Sequence, residues 1–157
     1  MKDSAPDAID LRILALLQAN ARLTNQALAD AVHLSPSACL ARVRRLEKAG
    51  VVQGAHAAID VERVRPLLVV FAEVTLANHR LEDFTRFEAA IAALPEVVAA
   101  DQVSGGFDYL LKVAVADINA WRQLADRLLV DGSGVAKIIS HVRMAETKRF
   151  SGYPLTR

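Results

Sequence analysis

The sequence predicts an α+β chain in two units, three short helices followed by a sheet-forming half in the order βαββαβ. Three observations carry this. Every Phe, Tyr and Trp lies at or beyond Phe71, whereas the residues up to Gly50 are aliphatic, alanine-rich and helical in period. Beyond Pro66, strand-like apolar runs trade places with 3.6-residue patterns, punctuated by Gly and Pro. The 157 residues correspond to one domain or two small ones, at about 150 residues per domain.

Each element has its own signal. Ile9, Ile13, Leu16, Leu17 and Asn20 fall on helical spacing, with Ser4 or Asp7 as the cap and Pro6 in the first turn, so a helix is expected from about Asp7 to Asn20. Thr24 caps a short second helix whose Leu28, Ala31 and Val32 face inward. Ser35 followed by Pro36 is a capping residue and a first-turn proline, which starts the third helix at Pro36. Lys48 in the last turn and Gly50 just beyond it mark its end.

Residues 51–66 lack a helical period, bend at Gln53-Gly54 and leave room for a strand or small wing. Leu67 to Leu76 is a β-rich run. Leu81 to Ala93 is a helix with Leu81, Phe84, Phe87, Ile91 and Leu94 on one side, stopped by Pro95. Val97 to Val103 is the second strand, Ser104-Gly105-Gly106 a turn, and Tyr109 to Val115 the third strand, alternating Leu111, Val113 and Val115. Asp117 to Val130 is a helix broken by Gly132 and Gly134, and Val135 to Met144 the last strand. This order is the ferredoxin-like split βαβ pair. The expected domains are 1–50, a connector at 51–66, and 67–157.

Composition excludes several classes. With 53% apolar, 24% charged and 5% aromatic residues, a soluble folded protein is expected. The most apolar stretch, Leu67 to Ala72, is closed by Pro66 and Glu73 and is too short to span a bilayer. Asp3, Asp7, Asp10 and Arg12 argue against a secretory leader, which makes the cytoplasm the expected compartment. Cys39 is a lone cysteine and cannot form an intrachain disulfide. His33, His56, His79 and His141 lack metal-ligand spacing, so neither a metal nor a redox cofactor is expected. No G-x-G-x-x-G, Walker loop or G-x-S-x-G elbow occurs, which removes the usual markers of nucleotide binding and of the α/β-hydrolase mechanism.

Nineteen Lys and Arg against eighteen Asp and Glu leave +1, so any basic patch must be local. The third helix supplies one. Three short helices with a tight turn at His33-Leu34 match a helix-turn-helix, whose third helix enters the DNA major groove. On a helical wheel Cys39, Val43 and Leu46 form an inward face, leaving Ser37, Ala38, Ala41, Arg44, Arg45 and Lys48 opposite, with Arg42 at the flank. Arg42, Arg44, Arg45 and Lys48 against Glu47 give this segment +3. Ala38 and Ala41 allow close approach and contact with a thymine methyl, while Ser35 and Ser37 can reach phosphates or base edges. A merely solvated basic face would look the same on spacing alone. The lack of aromatics in this half disfavours single-strand binding by stacking. In the second half, Gly105 and Gly106 could expose backbone N–H groups to a carboxylate and Asp108 could meet an ammonium, a set suited to an amino acid. An ordinary hairpin turn closed by an Asp108 hydrogen bond is the alternative.

These residues also carry a family resemblance. Ile9-Asp10-Leu11-Arg12-Ile13-Leu14 with Leu17-Gln18, then Leu34-Ser35-Pro36-Ser37-Ala38-Cys39-Leu40, then Arg42 through Gly50, resembles the Lrp/AsnC family. Val103-Ser104-Gly105-Gly106-Phe107-Asp108-Tyr109-Leu110-Leu111-Lys112-Val113 looks like the signature of that family's ligand-sensing domain and is most similar to the leucine-responsive branch. The resemblance implies a transcription regulator that binds double-stranded DNA through an N-terminal (winged) helix-turn-helix and dimerises through a ferredoxin-like domain. It also implies assembly toward octamers and an amino-acid effector bound between dimers. By matching position, Gly105, Gly106, Asp108, Ile118, His141, Val142 and Arg143 would form the effector site. Gly106 stands where leucine-responsive members often carry an acid and His141 where some carry an aromatic ring, which leaves the effector open.

Two rivals share these features. Siroheme decarboxylases resemble the family in both halves, but an enzyme has no need of the basic third helix and would need groups near the sheet, of which only His141 and Arg143 are visible. A ligand-independent architectural DNA-binding protein would keep the basic helix and lack the amino-acid response.

Overall fold

The structure is a computed structural model that describes residues 5–130 and 132–155. By their contacts the described residues fall into two compact units: those up to Ala58 together with those from Lys148 onward, and Ile59–Thr147.

In the first unit, α1 (Ala8–Ala19) begins at Asp7, whose carboxylate accepts the N–H groups of Ile9 and Asp10 while Asp10 accepts the Asp7 N–H, a reciprocal capping box. The alternative cap, Ser4, lies outside the described residues. Thr24 caps α2 (Asn25–Val32) through Ala27 N–H, and Ser35 caps α3 (Pro36–Lys48) through Ala38 N–H. The turn between α2 and α3 is made by His33 in the left-handed region (φ 57°), with Leu34 N–H closing onto Ala29 O. Gly50 (φ 70°) turns the chain after α3, and Val51 N–H returns to Leu46 O.

Ile13, Leu28, Ala29, Val32, Cys39 and Leu46 form the core of this unit. One position differs from expectation. Ala29 is buried and Ala31 exposed, because α2 turns its Leu28-Ala29-Val32 side inward and offers only the Ala31 carbonyl, which accepts from Arg12. The connector is irregular apart from a 3-10 turn at Val61–Arg63, and among the described residues 51–66 no strand forms. The chain end joins this unit through Gln18, whose side-chain amide donates to Tyr153 O and accepts from Tyr153 N–H.

The second unit is a four-stranded antiparallel sheet in the order β2-β3-β1-β4, built from β1 (Leu68–Leu76), β2 (Val97–Gln102), β3 (Tyr109–Val115) and β4 (Val135–Val142). The helices α4 (Leu81–Ala92) and α5 (Ile118–Val130) cover one face. Val70, Ala72, Val74, Leu111 and Val113 point into that face, where Phe87, Trp121 and Leu124 meet them. By alternation Phe71, Glu73, Leu110, Lys112, Ile139 and His141 point to the other. Leu81, which the spacing puts on the apolar side of α4, is 82% exposed as the first residue of that helix. The last strand ends at Val142, two residues short of the expected Met144, and Met144 is exposed.

Candidate nucleic-acid interface and ligand site

On α3, Cys39 and Leu46 are buried and anchor the helix, and burial pushes the Cys39 thiol up, away from reactivity at neutral pH. Ser35, Ser37, Ala38, Ala41, Arg44 and Lys48 are exposed. The Ser35 and Ser37 hydroxyls lie 3.2 Å apart at the helix start, at the positive end of the helix dipole. Among the described residues, Arg44 and Lys48 have no acidic partner.

Arg45 is exposed and Arg42 half-buried at the flank, as the wheel places them, but both are paired with acids of α1. Arg42 Nη1 lies 2.6 Å from Asp7 Oδ2 and 2.9 Å from Asp10 Oδ1, and Arg45 Nη2 is hydrogen-bonded to Asp10 Oδ2. The Asp10 side chain is fully buried. Burial pushes its carboxyl up, but the Asp7 N–H and the two guanidinium groups outweigh that and hold it below the ordinary value. Hydrogen bonds from the Asp10 backbone and from Arg42 lower Asp7 too, and these carboxylates in turn raise Arg42. This cluster ties the start of α1 to the middle of α3. Arg42 is therefore mainly a strut, and Arg45, its side chain 43% exposed, is shared between Asp10 and the surface.

The seven expected effector residues fall into two groups within one chain. Gly105 (φ 136°) and Gly106 form an open turn in which an added Cβ at either would meet nothing within 4 Å. Asp108 beside them is committed to the fold. Its N–H donates to Val74 O, its Oδ2 accepts Leu76 N–H at 2.8 Å, where the β1 register shifts, and both carboxylate oxygens lie within 3.1 Å of His79 Nε2. That geometry is the turn-closing alternative. The other group lies at the opposite end of β1: His141 pairs with Phe71, Val142 with Val70, and Arg143 N–H donates to Val69 O. Val70 and Leu76 are six residue steps apart along β1, about 20 Å at 3.3 Å per residue. Ile118 begins α5 just beyond Val115, which pairs with Leu68 at that same end. Here His141 Nε2 is 3.1 Å from Glu73 Oε1, and Arg143 Nη2 is 2.7 Å from Glu62 Oε1. Ile118 and Val142 are 50% and 42% exposed.

Sequence reasoning missed Asp7 and Asp10 as part of this interface, along with His79 and Glu73. The one available signal is the acid pair at the start of α1, of which Asp7 reads as a cap and Asp10 only as part of the acidic N-terminus. Among the described residues no group of His, Cys, Asp and Glu could hold a metal ion, and no helix is long and apolar enough to cross a membrane.

Comparison with known proteins follows the same division. Residues 6–53 match a winged helix-turn-helix DNA-binding family, and residues 69–153 match the Lrp/AsnC ligand binding domain. The chain is 43% identical over 148 residues to a leucine-responsive regulatory protein of Haemophilus influenzae, covering 94% of this chain and 89% of that one. It is 41% identical to the Escherichia coli (strain K12) protein of the same name, over 91% and 87% of the two chains. Among solved structures it is similar to a transcriptional regulator of Neisseria meningitidis in complex with L-Met, with TM-score 0.87, 34% identity, and coverage of 96% and 97%. An AsnC family transcriptional regulator from Agrobacterium tumefaciens aligns with TM-score 0.86 and 32% identity over 95% and 97%. With both domains matched in order and whole-length relatives at this identity, the chain belongs to the Lrp/AsnC family of DNA-binding transcriptional regulators, a helix-turn-helix followed by a ligand-binding domain.

Proposed function

We propose that the protein works as a homodimer, or an octamer built of four dimers, in which each dimer sets two α3 helices into the major groove of duplex DNA, and that a small amino-acid effector tunes its assembly and hence its DNA affinity. The observation that carries this reading is the outward face of α3, where Ser37, Ala38, Ala41, Arg44 and Lys48 are all exposed around a Ser35-capped N-terminus. Arg44 and Lys48 supply the phosphate and base contacts, Ser35 and Ser37 anchor the backbone of the duplex, and the alanines allow close approach. Arg42 and Arg45 chiefly hold α3 at its angle to α1.

The effector reading draws on the matched ligand-binding domain and on the neighbour solved with L-Met. Because the glycine turn and the Ile118, His141 to Arg143 group lie at opposite ends of β1, one pocket containing both needs the turn of one copy against the strand end of another. A ligand seated there favours the assembled state by its differential affinity, without touching DNA. Gly105 and Gly106 offer backbone N–H groups, Arg143 a carboxylate partner, and Asp108 shapes the turn. We read the chain as a regulator with no catalytic step and no cofactor, acting in the cytoplasm at the nucleoid.

The test is a fluorescence-anisotropy titration of a selected duplex, repeated with each of the twenty amino acids and paired with thermal melts. An effector at 100 times its Kd stabilises by about 2.7 kcal/mol. No shift in either readout with any amino acid leaves the ligand-independent architectural reading standing.

A further inference from the structure

The chain passes between its two units twice, at 58–59 after the helix-turn-helix and at 147–148 on its return. Neither passage is a helix or a strand. On the way out, Val52 still packs on the helix-turn-helix core, and the first regular turn of the second unit is Val61–Arg63. On the way back, β4 ends at Val142, and Tyr153 is bonded through both its N–H and its C=O to the Gln18 side chain in α1.

Both passages are gripped beside one side chain. Arg143 is fixed to the sheet by its backbone N–H, which donates to Val69 O at 2.9 Å. Its guanidinium forks to two acids: Nη2 donates to Glu62 Oε1 at 2.7 Å, and Nη1 stands 3.8 Å from Glu146 Oε1. Glu62 lies in the turn that follows the first passage, and Glu146 just before the second. The Glu62 contact is a charge-assisted hydrogen bond, whereas the Glu146 contact is an ion pair beyond hydrogen-bond reach. The Arg143 side chain is only 18% exposed and that of Glu62 is 64% exposed. A guanidinium so far withdrawn from water needs an anion, but an anion that itself faces solvent is exchanged at little cost.

We infer that Arg143 is a latch on both passages, and that the carboxylate of the amino-acid effector opens it by taking the guanidinium from Glu62 and Glu146. This rests on the effector reading given above, and adds a route from that site to DNA that runs within each chain, separate from assembly. One carboxylate replaces another on the same fork, so Arg143 keeps an anionic partner throughout. Closed, the latch lets the free chain run only as far as Glu62 on one side and from Glu146 on the other. Open, the free chain runs to β1 at Leu68 and from β4 at Val142. The reach of irregular chain grows roughly as the square root of its length, so opening widens the range of positions open to α3. The two α3 helices of a dimer must meet half-sites at a fixed spacing, and a wider range means more freedom lost on binding. The effector therefore weakens duplex binding, and by linkage the duplex weakens effector binding.

The experiment compares the full-length parent with Glu62→Gln, which keeps the size of an exposed side chain and removes its charge. Anisotropy without ligand measures affinity for a selected duplex, calorimetry measures affinity for each of the twenty amino acids, and light scattering measures mass. Glu62→Gln should bind the duplex about two- to fivefold more weakly, and the amino acid that binds the parent about two- to fivefold more tightly, the range of a partly exposed ion pair. Its mass should be unchanged. Removing an acid otherwise favours binding to a polyanion, so the weaker duplex binding has the opposite sign to a net-charge effect. Glu82→Gln, the same charge change at the exposed start of α4, should keep the parent's amino-acid affinity. Unchanged amino-acid affinity in Glu62→Gln, or duplex binding that is unchanged or tighter, would overturn the latch and leave the effector reading in place. Weaker duplex binding that comes with a change of mass would assign the effect to assembly and overturn it too. No binding of any of the twenty by the parent would remove the effector reading itself, and the opening of the latch with it.

Discussion

Asp10→Asn should destabilise the helix-turn-helix unit although it removes no apolar surface. Asp10 is fully buried and accepts from the Asp7 N–H at 2.9 Å, from Arg42 Nη1 at 2.9 Å and from Arg45 Nη2. Asparagine keeps one acceptor for the Asp7 N–H and turns an amide N–H₂ toward a guanidinium. Because the Asp7 N–H and Arg45 share Oδ2, the amide oxygen serves both, so the Arg42 bond is reversed and the Arg45 bond weakened by loss of the anionic acceptor, a charge-assisted bond being worth about 1.5 to 3 kcal/mol. Because both arginines are partly exposed and can be rehydrated, and Arg42 keeps Asp7, the total is nearer 2 to 4 kcal/mol than the roughly 3 to 5 kcal/mol of a fully buried broken pair. Arg45→Ala should cost less, about 1 to 2 kcal/mol, since Asp10 retains Arg42. The pH dependence follows from the same cluster. Asp7 and Asp10 titrate lower folded than unfolded, so their contribution is fully present above the unfolded carboxylate pKa of about 3.9 and is lost as pH falls through the folded values. Urea unfolding of the full chain followed by circular dichroism at neutral pH and at pH about 3.5 reads both effects. An Asp10→Asn midpoint indistinguishable from the parent at neutral pH, or an acid dependence equal to the parent's, would refute the role given to this cluster.

Three further outcomes follow. Arg44→Ala and Lys48→Ala should each weaken duplex binding and lower the slope of log affinity against log salt by about 0.9, with folding unchanged because both side chains are exposed; anisotropy titrations over a salt series measure it, and unchanged slopes would move DNA off this face. Asp108→Ala should lower thermal stability by about 1 to 3 kcal/mol with or without effector, by orphaning Leu76 N–H, and Asp108→Asn should restore part of it; differential scanning calorimetry showing a wild-type melt for Asp108→Ala would return Asp108 to a ligand-only role. Ile139→Asp places a charge on the sheet face opposite the helices, where Ile139 is 39% exposed, and should shift light-scattering mass toward monomer; an unchanged assembly would mean that this face is not the dimer contact.

The local signals were legible because they act over a few residues. Ser35-Pro36, Thr24 and Asp7 start helices where a capping oxygen finds backbone N–H groups within three positions, and the structure places α1, α2 and α3 there. Period alone likewise gave β1 and β3, whose inward residues alternate as expected. What could not be read were contacts across long sequence separations. Asp10 meets Arg42 and Arg45 across 32 and 35 residues, and nothing on a helical wheel of α3 reports that a partner from α1 arrives at its flank. Asp108 reaches Leu76 and His79 across 32 and 29 residues for the same reason, which is why ligand partner and turn closer were indistinguishable in sequence.

Selection of bound duplexes from a randomised library by the full-length protein tests the central claim most directly, since a two-fold assembly presenting two α3 helices must leave its symmetry in the DNA it prefers. The enriched sequences should form a pseudopalindrome with half-sites about 10 bp apart, or a multiple of that, and repeating the selection with Arg44→Ala should relax the preference within each half-site while keeping their spacing. Enrichment of a single asymmetric site, or of no sequence at all, would contradict it.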